Sequence, residues 1–298
     1  MNFDKYIFRS HMVGKIIDVP KPLTFNQNDT LIGLRSKEKL TPKQKITLTS
    51  LEHKLNESKI FKLSDATKKT LNKIVFYEKT GRVKILEAKY LDKGLAKEKD
   101  ARDLMSEVLD FNLIKDDERK SNDFVTGQRD IKHDEIIIDI KSSWSYESFN
   151  NLLIEKENEV NLRQMDSYMD LWKLKESIVA HVLVDTPINL INDELRRLSY
   201  KEDIMTIEGD IRDEAIPEVK TLLNNMIFTR KGLEEYCQQS INVMIEWFDD
   251  FKEVSKKERI HMIPHSFDNV RIEQRNECIK LSRKYMNTVK PINNIINI

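Results

Sequence analysis

The chain has 298 residues and a mass of 35.2 kDa, which suits one large or two small domains and excludes a peptide or mini-protein. Hydrophobic residues make up 39%, and Gly and Pro number seven each, so collagen-like, linker-rich and turn-rich all-β classes are excluded and a helix-rich protein is favoured. The net charge is zero, but residues 1–85 hold 18 Lys and Arg against 8 Asp and Glu. Residues 86–298 carry an excess of acidic side chains that cancels this basic excess.

This charge asymmetry has two interpretations. A basic portion beside an acidic one suits a protein that grips phosphates with one surface and holds metal ions with another. The second interpretation is that the lysine-rich stretches are ordinary solvated surface, and charge alone does not favour either one. No apolar run nears the roughly 20 residues that cross a bilayer, and the N-terminus lacks the apolar segment of a signal peptide. Cys237 and Cys278 lack CxxC spacing. We therefore expect a cytoplasmic protein without a membrane partner.

The N-terminal third is predicted to contain one clear helix. Three prolines within residues 1–50 favour turns and short elements over a long helix. A helix is predicted for 64–78, with a capping serine at its start and an end near Gly81. A second helix is predicted for 86–109.

The middle of the chain changes from helical to strand periodicity. A strand is predicted for 124–131, followed by a polar turn at 132–135 and a second strand at 136–142. A helix is predicted for 155–175 and a buried strand for 178–184. From the second helix onward the predicted order is therefore helix, strand, strand, helix, strand.

The C-terminal third is predicted to be helical. Residues 200–218 are charged and irregular, and helices are predicted around 231–253 and 266–285. We expect one structural domain overall, made of a basic N-terminal extension, a core, and a charged excursion with C-terminal helices packed on that core. These portions are 1–85, 86–190 and 191–298.

Two neighbouring strands carry an unusual set of charges. Because side chains alternate along a strand, Asp139 and Lys141 share one face, and Ile140 between them faces the other way with Ile136 and Ile138. Buried charges are costly unless they are paired or bound to metal. Across the hairpin Asp130 can approach Asp139, and two such carboxylates repel unless a proton or a divalent cation lies between them. Asp130, Asp139 and the Ile140 carbonyl would supply oxygen ligands for Mg²⁺.

Further residues could complete a hydrolytic site. Lys141 could orient or deprotonate a water molecule, and Glu98 is our candidate ligand for a second ion. Glu98 lies four residues after Gly94, whose missing side chain would allow the helix to pack closely on the sheet. Gln164 and Tyr168 are spaced i,i+4 and share a helix face, where they could orient water, a metal ligand or a phosphate. The alternative is that these residues are ordinary solvated or amphipathic positions.

The chain resembles the PD-(D/E)XK nuclease superfamily in the order of these residues: Gly94-x-x-x-Glu98, Asp130, Asp139-Ile140-Lys141 and Gln164-x-x-x-Tyr168. The likeness is strongest to its RecB-like and YqaJ-type viral recombinase branch, which includes lambda exonuclease, and many members have Glu in place of Asp139. The resemblance implies an α/β fold with a restriction-endonuclease-like core, in which helices flank a mixed central sheet, and a helical C-terminal region. It also implies hydrolysis of DNA with two Mg²⁺ ions, for which Mn²⁺ can substitute.

The YqaJ-type resemblance implies a phage-encoded exonuclease of linear double-stranded DNA, acting from 5′ to 3′ in recombination in the host cytoplasm. A single-strand annealing protein is the implied partner, and both ring-forming and other relatives exist, so a homo-oligomer is left open. By the same resemblance, Arg9, Ser10 and Lys15 would contact a terminal 5′ phosphate. The chain departs from the family at 16–20, where a small-residue helix start is expected.

Two other functions fit the same sequence. An endonuclease or repair nuclease could use the same core, because the core sets the chemistry and not the DNA ends on which it acts. A catalytically silent DNA-binding or virion protein could keep the fold without activity.

Overall fold

The computed structural model describes residues 1–82 and 88–289. The predicted start of the second helix, at Leu86, lies outside them. The described chain divides into two compact units, called unit 1 (1–82, 121–127 and 268–289) and unit 2 (88–120 and 128–267). Unit 1 therefore combines segments from both ends of the chain.

Helices outnumber strands in the described part of the chain. The helices are α1 (Ser10–Val13), α2 (Phe25–Arg35), α3 (Pro42–Glu57), α4 (Asp65–Thr80), α5 (Lys89–Leu109), α6 (Tyr146–Ile154), α7 (Glu159–Trp172), α8 (Ile188–Glu202), α9 (Ile216–Met226), α10 (Arg230–Gln239) and α11 (Asn269–Thr288). The strands are β1 (Phe8–Arg9), β2 (Arg119–Ser121), β3 (Val125–Gln128), β4 (Ile131–His133), β5 (Ile136–Ser142), β6 (Glu176–Val182) and β7 (Ile260–Ser266).

Helix α4 confirms the predicted helix in unit 1. It begins after its N-cap Ser64, whose side chain accepts a hydrogen bond from the Thr67 main-chain N–H, and it ends two residues later than predicted. Gly81 follows in the left-handed conformation, with a φ of 66° that glycine adopts without strain. Short strands β1, β2 and β3 form a sheet in the order β1-β3-β2.

The prediction of turns and short elements is confirmed for residues 1–24 but is wrong for 25–50, where α2 lies and the 16-residue α3 begins. Pro42 occupies the first turn of α3, where its missing N–H would have no intrahelical acceptor in any case. The side chains of Thr41 and Gln44 cap the helix reciprocally, each accepting a hydrogen bond from the other's main-chain N–H. A proline in this position starts a helix instead of breaking one.

Unit 2 is built on a four-stranded mixed sheet in the order β4-β5-β6-β7. Strand β5 is antiparallel to β4 and parallel to β6, and β7 is antiparallel to β6. Helix α5 packs on one face through a buried apolar cluster that includes Ala101, Met105, Ile131 and Ile138. Helix α7 contacts β5, β6 and β7. The predicted mixed sheet flanked by helices is confirmed.

The predicted strand 124–131 is in fact two strands in two sheets. Strand β3 ends at Gln128, and β4 begins at Ile131, so the chain changes sheet at Arg129 and Asp130. The turn of the β4–β5 hairpin is also shorter than predicted and centres on Asp134, which has a φ of 49°.

The predicted helix 155–175 is likewise shorter. Helix α6, which was not predicted, ends at Ile154, and α7 begins only at Glu159 after its N-cap Asn158. Helix α7 then ends at Trp172, and its C-cap Lys173 adopts the left-handed conformation. The buried strand predicted for 178–184 is present two residues earlier, as β6.

The C-terminal predictions are correct in part. The predicted helix 231–253 is wrong beyond Gln239, because the main chain is extended at Ser240. The Ser240 hydroxyl accepts hydrogen bonds from the main-chain N–H groups of Asn242 and Val243. Strand β7 was not predicted, and its Pro264 is tolerated because β7 lies at the edge of the sheet. Helix α11 confirms the last predicted helix. In the described residues no helix is long and apolar enough to cross a membrane.

Candidate active site of unit 2

Asp139 lies at the centre of the candidate site. Its side chain projects from β5 toward α7 and is 1% exposed. The Lys141 Nζ lies 2.7 Å from Asp139 Oδ2, and the Gln164 Nε2 donates a hydrogen bond to Oδ1 at 3.2 Å. The same amide group donates to the Tyr168 hydroxyl at 3.0 Å. Four residues singled out from the sequence therefore form one connected network.

Asp130 lies beside this network. It precedes β4, and the pairing of Ile131 with Ile138 brings Asp130 alongside Asp139 on the same side of the hairpin. Burial and then the charge of Asp139 raise the Asp130 pKa from 3.8 to about 7, although the charge of Lys141 opposes this rise. The two carboxylates are thus held together at an electrostatic cost, which a divalent cation would relieve.

The donor set at this position fits Mg²⁺. Two carboxylates and a main-chain carbonyl leave room for the several water molecules that Mg²⁺ retains. Residues 136–138 of β5 pair with both β4 and β6. Around Ile140, β5 pairs with β6 alone among the described strands. Within residues 1–82 and 88–289, no group of three or more His, Cys, Asp or Glu side chains is arranged to hold a metal ion.

Glu98 has a different environment from the other predicted ligands. It lies on α5, which packs on the opposite face of the sheet, and its carboxylate pairs with the Lys115 Nζ at 2.6 Å. Its charge still contributes, after burial and Asp139, to the raised pKa of Asp130. The expected role of Gly94 is wrong for the described residues, because a Cβ built there meets none of their atoms within 4 Å and no close packing among them requires glycine.

A second network, missed from the sequence, holds the main chain before Asp130. The Arg129 guanidinium pairs with Asp116 at 2.5 Å and Glu118 at 2.8 Å, and it lies over the Trp172 ring. The Trp172 indole N–H donates to Glu118 at 2.8 Å. The Asp116 N–H donates to the Asp130 carbonyl at 2.7 Å. No spacing in the sequence relates these residues, since their contacts arise from the fold.

A buried Glu157–His181 pair lies next to Lys141. Their side chains are 2.6 Å apart, and Asn161 also donates to Glu157 at 2.7 Å. His181 is the register neighbour of Lys141 on β5 and of His261 on β7. Burial lowers the Lys141 pKa, but the charges of Asp139 and other carboxylates, including Glu157, outweigh it and raise the pKa overall. This pair also had no signal in the sequence.

The residues predicted to bind a 5′ phosphate lie in unit 1. Arg9 and Lys15 are exposed, and Ser10 is buried. The Ser10 hydroxyl donates a hydrogen bond to the Thr126 carbonyl at 3.0 Å. Their proposed role stays a prediction.

No protein-family model and no curated protein matches the sequence. Among solved structures, the chain is similar to a phage related exonuclease from Haemophilus somnus 129PT, with 19% identity, a TM-score of 0.57, and coverage of 95% of this chain and 94% of that one. It is also similar to the alkaline exonuclease LHK-Exo from Laribacter hongkongensis, with 9% identity, a TM-score of 0.45 and coverage of 76% and 82%. The first likeness shows a shared fold.

Proposed function

We propose that this chain is a metal-dependent exonuclease that hydrolyses linear double-stranded DNA from 5′ to 3′ in phage-type recombination. The observation that carries the proposal is the buried Asp130–Asp139 pair with the Lys141 amine 2.7 Å from Asp139. A second support is the fold shared with a protein described as a phage related exonuclease. DNA is the substrate, and a single-strand annealing protein would receive the exposed strand.

Asp130, Asp139 and the Ile140 carbonyl would hold one divalent ion, Mg²⁺ or Mn²⁺, and Glu98 would contribute to a second. When bound, such ions lower the pKa of a water molecule and neutralise charge on the departing oxygen. Lys141 has a raised pKa and is therefore protonated at neutral pH. Its amine is suited to donating hydrogen bonds to a phosphate oxygen or water, rather than to removing a proton. Gln164 orients Asp139 by holding its second oxygen.

The test is degradation of end-labelled linear duplex DNA with and without Mg²⁺. We expect the wild type to require a divalent ion and Lys141→Ala to be at least about 100-fold slower, since positioned catalytic groups commonly contribute that much. Lys201→Ala, which alters an exposed lysine of α8 in the same unit, is the matched control. Metal-independent cleavage, or equal rates for Lys141→Ala and the wild type, would exclude the assigned chemistry.

The choice of substrate separates the remaining alternatives. Labels at the 5′ and 3′ ends distinguish the two directions of digestion. Cleavage of closed circular DNA would favour an endonuclease or repair nuclease. Binding of DNA without any metal-dependent cleavage would favour a catalytically silent DNA-binding or virion protein.

A further inference from the structure

Unit 2 contains a cavity that is separate from the candidate active site, because its walls include none of the predicted catalytic residues. Its volume is about 690 Å³, within the range of small-molecule sites. Its walls come from α5, the loop between β6 and α8, the start of α10 and the residues before β7. Thr186, Ile188 and Arg259 lie in these walls.

Arg259 is a buried cation that forms no ion pair with any described residue. It is 6% exposed, and its carbonyl accepts a hydrogen bond from the Leu183 N–H at 2.8 Å, which fixes the residue beside the sheet. Its Nε is buried without a hydrogen-bond partner, and the described part of the chain offers no ion pair to its guanidinium. Burying an arginine without an anion is strongly unfavourable. An external anion would remove this cost.

Among the described residues, no carboxylate that lines the cavity forms an ion pair with Arg259, because four of them pair with lysines and Asp185 is held by neutral donors. The pairs are Asp100 with Lys97 at 2.7 Å, Asp103 with Lys99 at 2.6 Å, Glu107 with Lys256, Glu235 with Lys231 at 3.7 Å, and Asp185 with the main-chain N–H groups of Phe228 and Thr229. Among the described cations of the cavity, Arg259 is thus the unpaired one.

Two further donors line the same cavity. Helix α8 has 15 residues and begins at Ile188 without a side-chain cap, so the N–H groups of Ile188 and Asn189 have no intrahelical acceptor, whereas Leu190 N–H already donates to the Pro187 carbonyl. The Thr186 side chain lies just before it, is 4% exposed, and has a buried Oγ1 without a hydrogen-bond partner among the described residues. A helix N-terminus, a hydroxyl and a guanidinium are together the groups that bind phosphate.

We propose that this cavity binds a phosphate group through the Arg259 guanidinium, the Thr186 hydroxyl and the N-terminal N–H groups of α8. The phosphate belongs to a free mononucleotide or to the DNA backbone, and the experiment separates these sources. The site is distinct from the Asp130–Asp139 pair and does not depend on the nuclease proposal.

The test is titration of the full chain with inorganic phosphate in metal-free buffer, followed by calorimetry and by the midpoint of thermal unfolding. We expect 1:1 binding that raises the midpoint of the wild type, because a ligand that binds only the folded state stabilises it. Arg259→Met should bind at least tenfold more weakly and lose the stabilisation by phosphate, and Thr186→Val should bind several-fold more weakly. Lys201→Ala, at an exposed position of α8 outside the cavity lining, should bind phosphate as the wild type does.

Parallel titrations with dAMP and a short DNA duplex identify the source of the phosphate. If the loss in Arg259→Met appears with dAMP, the ligand is a mononucleotide, and if it appears with duplex alone, the ligand is the backbone. Absence of phosphate binding, or equal binding by Arg259→Met and the wild type, would overturn the proposal. If Arg259→Met does not fold, phosphate binding by Thr186→Val that equals binding by the wild type would overturn the proposal. Loss of binding in Lys141→Ala would assign the phosphate to the catalytic pair instead.

Discussion

Asp130 is expected to reduce stability in the absence of metal. Its pKa is raised from 3.8 to about 7 by burial and by Asp139, so the folded state favours the protonated form. Stability is therefore lost as the pH rises from about 4 to about 7, and the cost is complete above that range. We expect Asp130→Asn to raise the free energy of unfolding at pH 8 by up to about 4 kcal/mol, since the shift spans about three pKa units and each corresponds to about 1.4 kcal/mol.

The measurement is urea unfolding of the wild type and Asp130→Asn in metal-free buffer at pH 5 and pH 8. The difference between the two proteins should be larger at pH 8, and Asp130→Asn should not degrade DNA with Mg²⁺ present. An equal difference at both pH values would show that Asp130 does not titrate in this range.

Glu157 is expected to stabilise unit 2 through His181. Both side chains are buried, so Glu157→Ala leaves His181 without its acceptor and should lower the free energy of unfolding by about 2–3 kcal/mol. Burial opposes but does not cancel the effect of the His181 hydrogen bond, and the Glu157 pKa is lowered. The stabilisation is therefore present above the unfolded-state pKa and is lost as the pH falls.

Urea unfolding at pH 7 checks this value, with Glu155→Ala as the matched control at an exposed position two residues away. Glu155→Ala should change the free energy of unfolding by less than about 0.5 kcal/mol. Similar losses in both variants would mean that the pair does not contribute beyond an ordinary surface residue.

The sequence predicted the residues of the site where local geometry determines them. Strand alternation alone places Asp139 and Lys141 on one face, and the hairpin brings Asp130 beside them. Glu157 could not be found in this way, because its partner His181 is 24 residues away on another element. Arg259 gave no signal either, since its burial depends on how the chain before β7 meets the sheet.

At the scale of elements, Gly232 on α10 is required by its close approach to the Asp185 carboxylate. A Cβ at this position would lie 2.3 Å from Asp185 Oδ2, and that carboxylate accepts hydrogen bonds at the start of α10. We expect Gly232→Ala to displace Asp185 and to lower the free energy of unfolding by about 1–3 kcal/mol. Gly94→Ala is the control in α5, where a Cβ meets no atom of residues 1–82 or 88–289 within 4 Å.

Thermal and urea unfolding, followed by circular dichroism, measure both glycine variants. Gly94→Ala should stabilise by about 0.5–1 kcal/mol, because alanine favours a helix interior more than glycine does. A Gly232→Ala variant as stable as the wild type would show that the Asp185 carboxylate can move to accommodate a methyl group.

The missed helices of the N-terminal segment have an identifiable cause. Proline was treated as a helix breaker within residues 1–50, but Pro42 begins α3, and a proline also lies in the edge strand β7. Whether a proline begins an element or interrupts it depends on which main-chain N–H groups need partners, and tertiary contacts decide this for a strand. Helix α4 was predicted well because its cap, apolar stripe and terminal glycine are all local signals.

At the scale of the whole molecule, the uneven charge predicts salt-dependent binding of DNA. Residues 1–85 carry ten more basic than acidic side chains, although the total charge is zero. Each phosphate contacted by a lysine releases condensed counterions from DNA, so binding weakens as salt is added. The basic N-terminal segment is therefore expected to supply most of this dependence, whichever way the two units are arranged.

Lys43 and Lys45 on α3 test this expectation, because both are exposed and have no ion pair among the described residues. Replacing both by glutamine should reduce the slope of log affinity against log salt by about 1.8, since each phosphate contact contributes about 0.9. Fluorescence anisotropy with a labelled duplex in EDTA measures the slope without cleavage. Lys252→Gln with Lys257→Gln, at exposed positions of the acidic portion, is the control and should leave the slope unchanged. Equal slopes for both double variants would mean that the N-terminal lysines are solvated surface and not a DNA contact.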